Sequence, residues 1–161
     1  MTTTATFSFT STINGSTFAC SLDGAAFSAC NSPKAYSGPS SGSHTFQVRA
    51  TDAVGNTDST PASQTWTIDT VAPTGVAITA PANGASVTGH VTITASASDN
   101  IGVSQVSFYV DGQLLASDTS APFSTNWNTN KVSKTTHTLY VIATDAAGNT
   151  TQTATITVTV R

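Results

Sequence analysis

Aspartates are the residues of this sequence most able to carry chemistry, because it contains eight of them and no glutamate. An Asp-Ala-x-Gly-Asn loop occurs twice, at 52–56 and 145–149. In a structural interpretation each loop is an Asx turn, in which the aspartate accepts backbone N–H groups and the glycine takes a positive φ. The residues given this structural role in the loops are Asp52, Gly55, Asn56, Gly148 and Asn149.

Calcium binding is the alternative chemistry for the aspartates. Ca²⁺ takes six to eight oxygen ligands, which carboxylates and backbone carbonyls supply. In a seven-stranded sandwich the loop with Asp99 and the loop with Asp145 lie at the end where the chain enters, next to the linker that holds Asp69. Neither Lys nor Arg is near these three aspartates in sequence. Calcium is therefore the one cofactor that the sequence suggests, and its candidate ligands are Asp69, Asp99, Asn100 and Asp145. The structural interpretation of the same loops stays open beside it.

Catalytic motifs are missing from the sequence. There is no Gly-x-Ser-x-Gly elbow, no His-Glu-x-x-His and no phosphate-binding glycine loop. A glycosidase needs two carboxyl groups in different environments, whereas these aspartates fall in expected turns, loops or linkers. His44 and His137 occupy equivalent positions of a repeat, where we expect hydrogen bonds to loop backbone. The sequence therefore predicts that the chain is not an enzyme and has no catalytic residue.

Charge and hydropathy argue against two further classes of function. The formal net charge is −3, and the five Lys and Arg residues do not cluster as contacts with nucleic-acid phosphates require. No apolar run approaches the roughly 18 residues of a membrane-spanning helix. We therefore expect neither nucleic-acid binding nor membrane insertion.

The two cysteines bear on the compartment. Cys20 and Cys30 lie close in sequence, and in a Ser/Thr-rich chain of low charge they favour a disulfide and a secreted or cell-surface location. Two buried free thiols are the alternative. A two-residue turn at Asp23 and Gly24 would set Cys20 opposite Phe27, so the disulfide needs a bulge, a longer loop or a strand that leaves the hairpin.

An internal repeat organises the chain. The segment 44–57 returns as 137–150, at a constant offset of 93 residues (137 − 44). Ahead of it, Ser-Leu-Asp-Gly at 21–24 is matched by Tyr-Val-Asp-Gly at 109–112, an Asp-Gly turn after an apolar strand. Two copies of one module follow from this spacing.

Alternating apolar residues predict the strands of both copies. The second copy shows seven short strands, which fit a Greek-key sandwich of the immunoglobulin or fibronectin III kind. The apolar positions of its strands are Val76 and Ile78; Val91, Ile93, Ala95 and Ala97; Val106, Phe108 and Val110; Leu114 and Leu115; Phe123 and Trp127; Leu139, Val141 and Ala143; and Ala154, Ile156, Val158 and Val160. Those of the first copy are Ala5, Phe7 and Phe9; Phe18, Cys20 and Leu22; Phe46, Val48 and Ala50; and Trp66 and Ile68.

The predicted fold is therefore all-β, with two tandem sandwiches. The first module covers residues 1–69, a linker covers 70–74, and the second module covers 75–161. The first module has no counterpart of residues 76–88, so it lacks the first strand. Either the sequence starts inside a longer protein, as Met1 before three threonines suggests, or that strand comes from elsewhere.

Several segments resemble the bacterial Ig-like repeats of secreted and surface proteins. In the second module they are Pro-Ala-Asn-Gly at 81–84 and the stretches 97–103, 108–112 and 143–149. The first module is similar to a companion type, through 18–24, the paired Cys30, Gly-Ser-His at 42–44 and the loop 52–56. The resemblance covers nearly the whole chain, although the missing first strand departs from the pattern.

What the resemblance implies is a structural role in a modular exoprotein, as a spacer that presents neighbouring domains. Two alternatives stay open. One is an adhesin-type module that binds a polysaccharide or a surface. The other is self-assembly, in which the open edge of the first module accepts a strand from a further copy of the chain.

Overall fold

The structure is a computed structural model that describes residues 4–161. It divides into two compact units, unit 1 up to Thr70 and unit 2 over Val71–Arg161, and each is described below by itself. The first three residues, where the predicted first module begins, lie outside the described residues. Nothing in residues 4–161 forms a helix of the length and apolarity needed to cross a membrane.

Within residues 4–70, unit 1 consists of six strands in two sheets. A two-stranded sheet pairs β1 with β4, and a four-stranded sheet has the order β3-β2-β5-β6, with every pairing antiparallel. The strands are β1 (Thr4–Phe7), β2 (Thr17–Leu22), β3 (Ser28–Cys30), β4 (Lys34–Ser37), β5 (Gly42–Thr51) and β6 (Ala62–Ile68).

Unit 2 consists of nine strands and one turn of 3₁₀-helix. One sheet has the order β12-β9-β7; the other has the order β11-β10-β13-β15-β8, and β14 also pairs with β13. The β15–β8 pairing is parallel. The strands are β7 (Thr74–Ala80), β8 (Ser86–Val87), β9 (His90–Ser98), β10 (Val103–Val110), β11 (Gln113–Asp118), β12 (Ser124–Asn128), β13 (Thr136–Asp145), β14 (Thr150–Gln152) and β15 (Ile156–Val160).

The core of unit 2 comes from the alternation that the sequence shows. Successive side chains of a strand point to opposite faces of the sheet, so every second residue of β10 and β13 faces inward. Phe108, Val141 and Ala143 are completely buried there. The buried cluster comprises Ile93, Ala95, Val106, Phe108, Phe123, Trp127, Leu139, Val141, Ala143, Val158 and Val160. Trp127 thus has the core position that the alternation predicts.

Unit 1 has a smaller core built on aromatic rings. Its buried hydrophobic cluster is limited, within the described residues, to Cys20, Phe46 and Val48. The Phe7 ring stacks on the Phe46 ring with centroids 4.3 Å apart. The surrounding aromatic residues, Phe7, Phe9, Phe18, Tyr36 and Trp66, are only partly buried against this cluster.

A disulfide joins Cys20 to Cys30, with the two Cα atoms 5.8 Å apart. Cys20 pairs with Ser28 across β2 and β3, and Cys30 pairs with Phe18. The connection is therefore longer than the two-residue turn that would set Cys20 opposite Phe27. This longer loop brings both cysteines within reach, as the sequence required.

The predicted all-β fold of tandem sandwiches is confirmed, and the differences lie in short strands. The sequence did not reveal β3 and β4 of unit 1, whose three and four residues carry little alternation. β8 is a two-residue strand and was also missed. Phe9 lies outside β1, although its ring still packs on the Phe18 ring, with centroids 5.0 Å apart.

Candidate functional site

The structure joins a histidine to an aspartate in each unit, an arrangement we call the His–Asp clamp (Asp23 with His44, and Asp111 with His137). In unit 1 the His44 Nδ1 lies 2.8 Å from Asp23 Oδ2, and its Nε2 lies 2.8 Å from the Ser40 carbonyl oxygen. The other Asp23 oxygen accepts the Thr45 backbone N–H at 2.8 Å. The clamp therefore ties the turn after β2 to the start of β5.

Unit 2 repeats the clamp. His137 Nδ1 contacts Asp111 Oδ2 at 2.5 Å, and His137 Nε2 lies 2.9 Å from the Ser133 carbonyl oxygen. Asp111 Oδ1 accepts the Thr138 backbone N–H at 2.8 Å, and the Asp111 N–H donates back to the Thr138 carbonyl. The same two elements are thus joined in both units, by the same atoms.

Local backbone geometry explains why an Asp-Gly pair carries the clamp. Asp23 and Asp111 have φ angles of 52° and 50°, in the left-handed region that Asn, Asp and Gly tolerate best. Gly24 and Gly112 follow, also with positive φ. This turn points the carboxylate back toward the adjacent strand, where one oxygen accepts the backbone N–H of Thr45 or Thr138.

Both nitrogens of each histidine face an acceptor, and this arrangement favours the protonated ring. An ionised carboxylate and a carbonyl oxygen can only accept, so the arrangement favours the imidazolium, the ring form in which both nitrogens can donate. In unit 1 the Asp23 carboxylate, then the Ser40 carbonyl, raise the pKa of His44 above its usual value. In unit 2 the Ser133 carbonyl, then Asp111, raise the pKa of His137 in the same direction.

The aspartates of the two clamps shift in the opposite direction. The hydrogen bond from His44, and then the Thr45 backbone N–H, hold the pKa of Asp23 below its usual value. Desolvation opposes ionisation of Asp111, but hydrogen bonds from the Thr138 backbone and from His137 outweigh it and lower its pKa. Each clamp is therefore a partly buried ion pair, with the histidine buried and the aspartate about half exposed.

Ser133, His137 and Asp111 superficially resemble a catalytic triad, since Ser133 Oγ lies 3.5 Å from His137 Nε2. A triad histidine must accept the serine proton at that nitrogen. Here the nitrogen donates to the Ser133 carbonyl at the shorter distance of 2.9 Å. An imidazolium with both N–H groups engaged is not a general base, so these three residues do not form a nucleophile and its base.

The two Asp-Ala-x-Gly-Asn loops are built as Asx turns. Asp52 Oδ1 accepts the backbone N–H groups of Val54 and Asn56, and Asp52 Oδ2 accepts the Asn56 side-chain amide. The Asn56 hydrogen bonds lower the pKa of Asp52. Gly55 has a φ of 92°, which supplies the turn that the sequence indicated.

The second loop has the same form. Asp145 accepts the Asn149 backbone N–H at 2.8 Å and the Asn149 side-chain amide at 2.6 Å. The same amide donates to the Val71 carbonyl, and Gly148 has a φ of 87°. Asp145 is buried, with 2% of its surface exposed.

The four candidate calcium ligands are placed as follows. In unit 2 a carboxylate oxygen of Asp99 and one of Asp145 lie within 4.8 Å of each other. Asp99 Oδ1 accepts the Ile101 and Gly102 N–H groups, whereas Asp99 Oδ2 is buried and has no hydrogen-bond partner within the described residues. Asn100 is exposed. Asp69, in unit 1, is buried and accepts the Ser41 hydroxyl.

An aromatic pair on unit 2 is a feature that sequence reasoning missed. Tyr109 of β10 and Tyr140 of β13 are directly paired in register, and their rings stack 4.7 Å apart at an interplanar angle of 5°. Both side chains are half-buried. The equivalent positions of unit 1, Ser21 and Gln47, carry no ring. Strand register would have shown the pair, because Tyr109 follows the core residue Phe108 and Tyr140 follows the core residue Leu139 on two adjacent strands.

Comparisons with known proteins agree with this architecture. Residues 73–141 match the family model of the bacterial Ig domain. The chain is similar to the fibronectin(III)-like modules of Clostridium thermocellum CbhA, with 26% identity, a TM-score of 0.55, and coverage of 98% of this chain and 84% of that one. A weaker similarity links it to the endo-beta-1,4-mannanase from Thermotoga petrophila, with 15% identity and a TM-score of 0.48. This similarity covers 58% of this chain and 20% of the mannanase. No curated protein matches the chain.

The clamps predict a specific dependence of stability on pH. Because the histidine pKa values are raised in the folded state, their contribution is complete below the reference value of 6.5 and is lost as pH rises through the raised values. The aspartate contribution is present above the reference value of 3.8 and is lost as pH falls through the lowered values. Thermal unfolding from pH 3 to 9 should therefore show greatest stability between these two values.

Substitution of one clamp histidine isolates this effect. His137→Gln removes the histidine contacts to Asp111 and to the Ser133 carbonyl, and we expect a loss of about 1–2 kcal/mol in the free energy of unfolding near pH 6. The loss should shrink as pH rises through the raised pKa of His137. His90→Gln is the matched control, because His90 is exposed and bonds only to Asn126 among the hydrogen bonds described. A loss independent of pH would contradict the ion-pair assignment.

Calcium binding at Asp99, Asn100, Asp145 and Asp69 stays a prediction. Two carboxylates this close repel each other, and a cation would relieve the repulsion. Titration of the EDTA-treated chain with Ca²⁺ should then release heat and raise the melting temperature. Asp99→Asn should abolish both effects. Asp52→Asn, in the Asx turn of unit 1, should leave both effects unchanged. The absence of heat and of any melting shift would end the calcium hypothesis.

Proposed function

We propose that the chain is a non-catalytic spacer of a secreted or cell-surface protein, from the premise that residues 73–141 match the family model of the bacterial Ig domain. Such a spacer holds neighbouring domains of its parent protein at a distance from a surface. Its requirement is a rigid fold with little chemistry of its own.

One observation carries this proposal: the carboxylates serve the backbone of the chain itself. Seven of the eight aspartates accept a hydrogen bond from a backbone N–H group, and Asp69 accepts the Ser41 hydroxyl. A carboxylate whose lone pairs are engaged in this way fixes a turn and is poorly suited to acid–base chemistry. The aspartates that hold turns or strand starts are Asp23, Asp52, Asp58, Asp99, Asp111, Asp118 and Asp145.

Two further observations support a location outside the cytoplasm. The Cys20–Cys30 disulfide belongs to an oxidising environment, where such bonds persist. Bacterial Ig domains are typically extracellular or attached to a surface. The low content of charged residues, 8%, and the many Ser and Thr residues agree with an exoprotein that folds around turns and strands.

Polysaccharide binding is the second candidate function, and the Tyr109–Tyr140 pair is the observation that favours it. Aromatic side chains on a sheet face offer apolar surface with a polar hydroxyl at one end, which suits recognition of a partner that is part apolar and part polar. The pair occurs in unit 2 alone, so a sugar surface does not repeat along the chain.

A display experiment separates the two functions. The chain is placed between a cell-surface anchor and a reporter enzyme that acts on a bulky soluble substrate. A spacer raises reporter activity relative to direct anchoring, and Tyr140→Ala leaves that gain unchanged. Phe108→Ala, which removes a fully buried ring at a cost of about 3–5 kcal/mol, should abolish the gain.

The same variants decide between the candidates when the chain is applied to a glycan array. The spacer proposal predicts no retention above that of an unrelated protein. Retention that Tyr109→Ala or Tyr140→Ala removes, with the fold intact, would replace the spacer proposal with a binding function. A gain in reporter activity that persists in an unfolded Phe108→Ala variant would also contradict it, because the fold would then be irrelevant.

A further inference from the structure

Two strands of unit 1 pair on one side only. Within the part of the chain that the structure describes, β1 pairs with β4 alone and β6 pairs with β5 alone. Their equivalents in unit 2 are paired on both sides: β9 lies between β12 and β7, and β15 lies between β13 and β8. In unit 2, therefore, β7 and β8 pair with the equivalents of the two edges that are free in the described part of unit 1.

The inward-facing apolar side chains of β15 are more deeply buried than those of β6. In β15, Val158 is 0% exposed and Val160 is 2% exposed. Trp66 and Ile68 take the corresponding register positions of β6, opposite β5, and are only half-buried. Residues 62–65 of β6 are all exposed. The apolar face of unit 1 is therefore uncovered on the side where β7 and β8 cover unit 2.

A groove of about 280 Å³ runs along this uncovered side. Its lining comes from both free strands and from the core between them, and none of its residues is charged. The lining residues are Thr6, Phe7, Ser8, Phe9, Phe46, Val48, Ala62, Ser63 and Gln64.

Next to the groove on β6, the Trp66 indole nitrogen is buried and has no hydrogen-bond partner within the described residues. Buried N–H groups are almost always bonded in native proteins. The Trp66 ring lies 4.9 Å from the Phe7 ring, so it belongs to the same aromatic face. A carbonyl or hydroxyl oxygen supplied by an added segment would satisfy this donor.

We propose that this groove binds an extended, uncharged polypeptide segment that carries aliphatic side chains at alternate positions. The template for the segment is residues 74–87 of the chain itself. There β7 presents Val76 and Ile78 and pairs antiparallel with β9, and Val87 of β8 then pairs parallel with Val160 of β15. The added segment would pair with β1 and β6 in the same two ways.

Main-chain hydrogen bonds to the free edges supply affinity, and the aliphatic side chains supply specificity by filling the apolar groove. The uncharged lining disfavours a charged segment, because burying an unpaired charge is costly. A second copy of this chain is a poor donor, since its residues 74–87 already pair within its own unit 2. The occupant is therefore a segment of that chemistry from polypeptide other than residues 4–161.

A synthetic peptide with the sequence of residues 74–87 tests the proposal on the full chain. Saturable shifts should appear in the backbone amide resonances of β1 and β6 and of residues 8 and 9, with slowed hydrogen exchange at both strands. At a peptide concentration about ten times Kd, the melting temperature of unit 1 should rise by about 5 °C or more. A peptide carrying Val76→Lys and Ile78→Lys should have no effect.

Variants of the chain locate the binding. Gln64→Lys places a charge in the groove at an exposed position and should abolish the peptide effect, whereas Thr67→Lys, exposed on the same strand but outside the groove lining, should preserve it. No shift at millimolar peptide, or equal shifts with the lysine peptide, would overturn the proposal. Concentration-dependent dimerisation of the chain alone, lost in Gln64→Lys, would also overturn it by making a second copy the occupant.

Discussion

Strand pairing along both edges of a sheet is the constraint on which the rest of this structure depends. Each strand buries one face through alternation, but a strand also needs neighbours to satisfy its backbone and to seal the core at the sheet edge. In unit 2 the β7 and β8 strands complete this arrangement, and Val158 and Val160 are fully buried as a result. In unit 1 the corresponding edges have no partner strand among residues 4–70, and its aromatic core remains partly exposed.

Polar chemistry in both units is devoted to holding strands in register. Each His–Asp clamp fixes the turn after one core strand to the start of the strand beside it in the sheet. The Asx turns at Asp52 and Asp145 close the loop that follows this second strand. These devices recur at equivalent positions because each answers the same backbone requirement in each module. Such recurrence is typical of structural residues, whereas a catalytic group has no reason to appear once per sandwich.

The long strands could be predicted from the sequence because their alternation extends over many residues, as it does from Leu139 to Ala143. Short strands such as β3, β4 and β8 were not predicted, because two to four residues are too few to show a reliable alternation of apolar and polar side chains. The clamps escaped for a different reason. His44 and His137 were expected to bond loop backbone, which they do at Nε2, but their aspartate partners lie 21 and 26 residues away and become neighbours only once strand register is known.

Native-state hydrogen exchange, followed residue by residue at increasing denaturant, tests the claim that edge pairing decides the stability of these units. Amides of β9 and β15 should exchange only through unfolding of the whole of unit 2. Amides of β1 and β6 should exchange through smaller openings, with opening free energies several kcal/mol lower. Equal protection of the two pairs of strands would contradict the account, because the open edges of unit 1 would then carry no energetic cost.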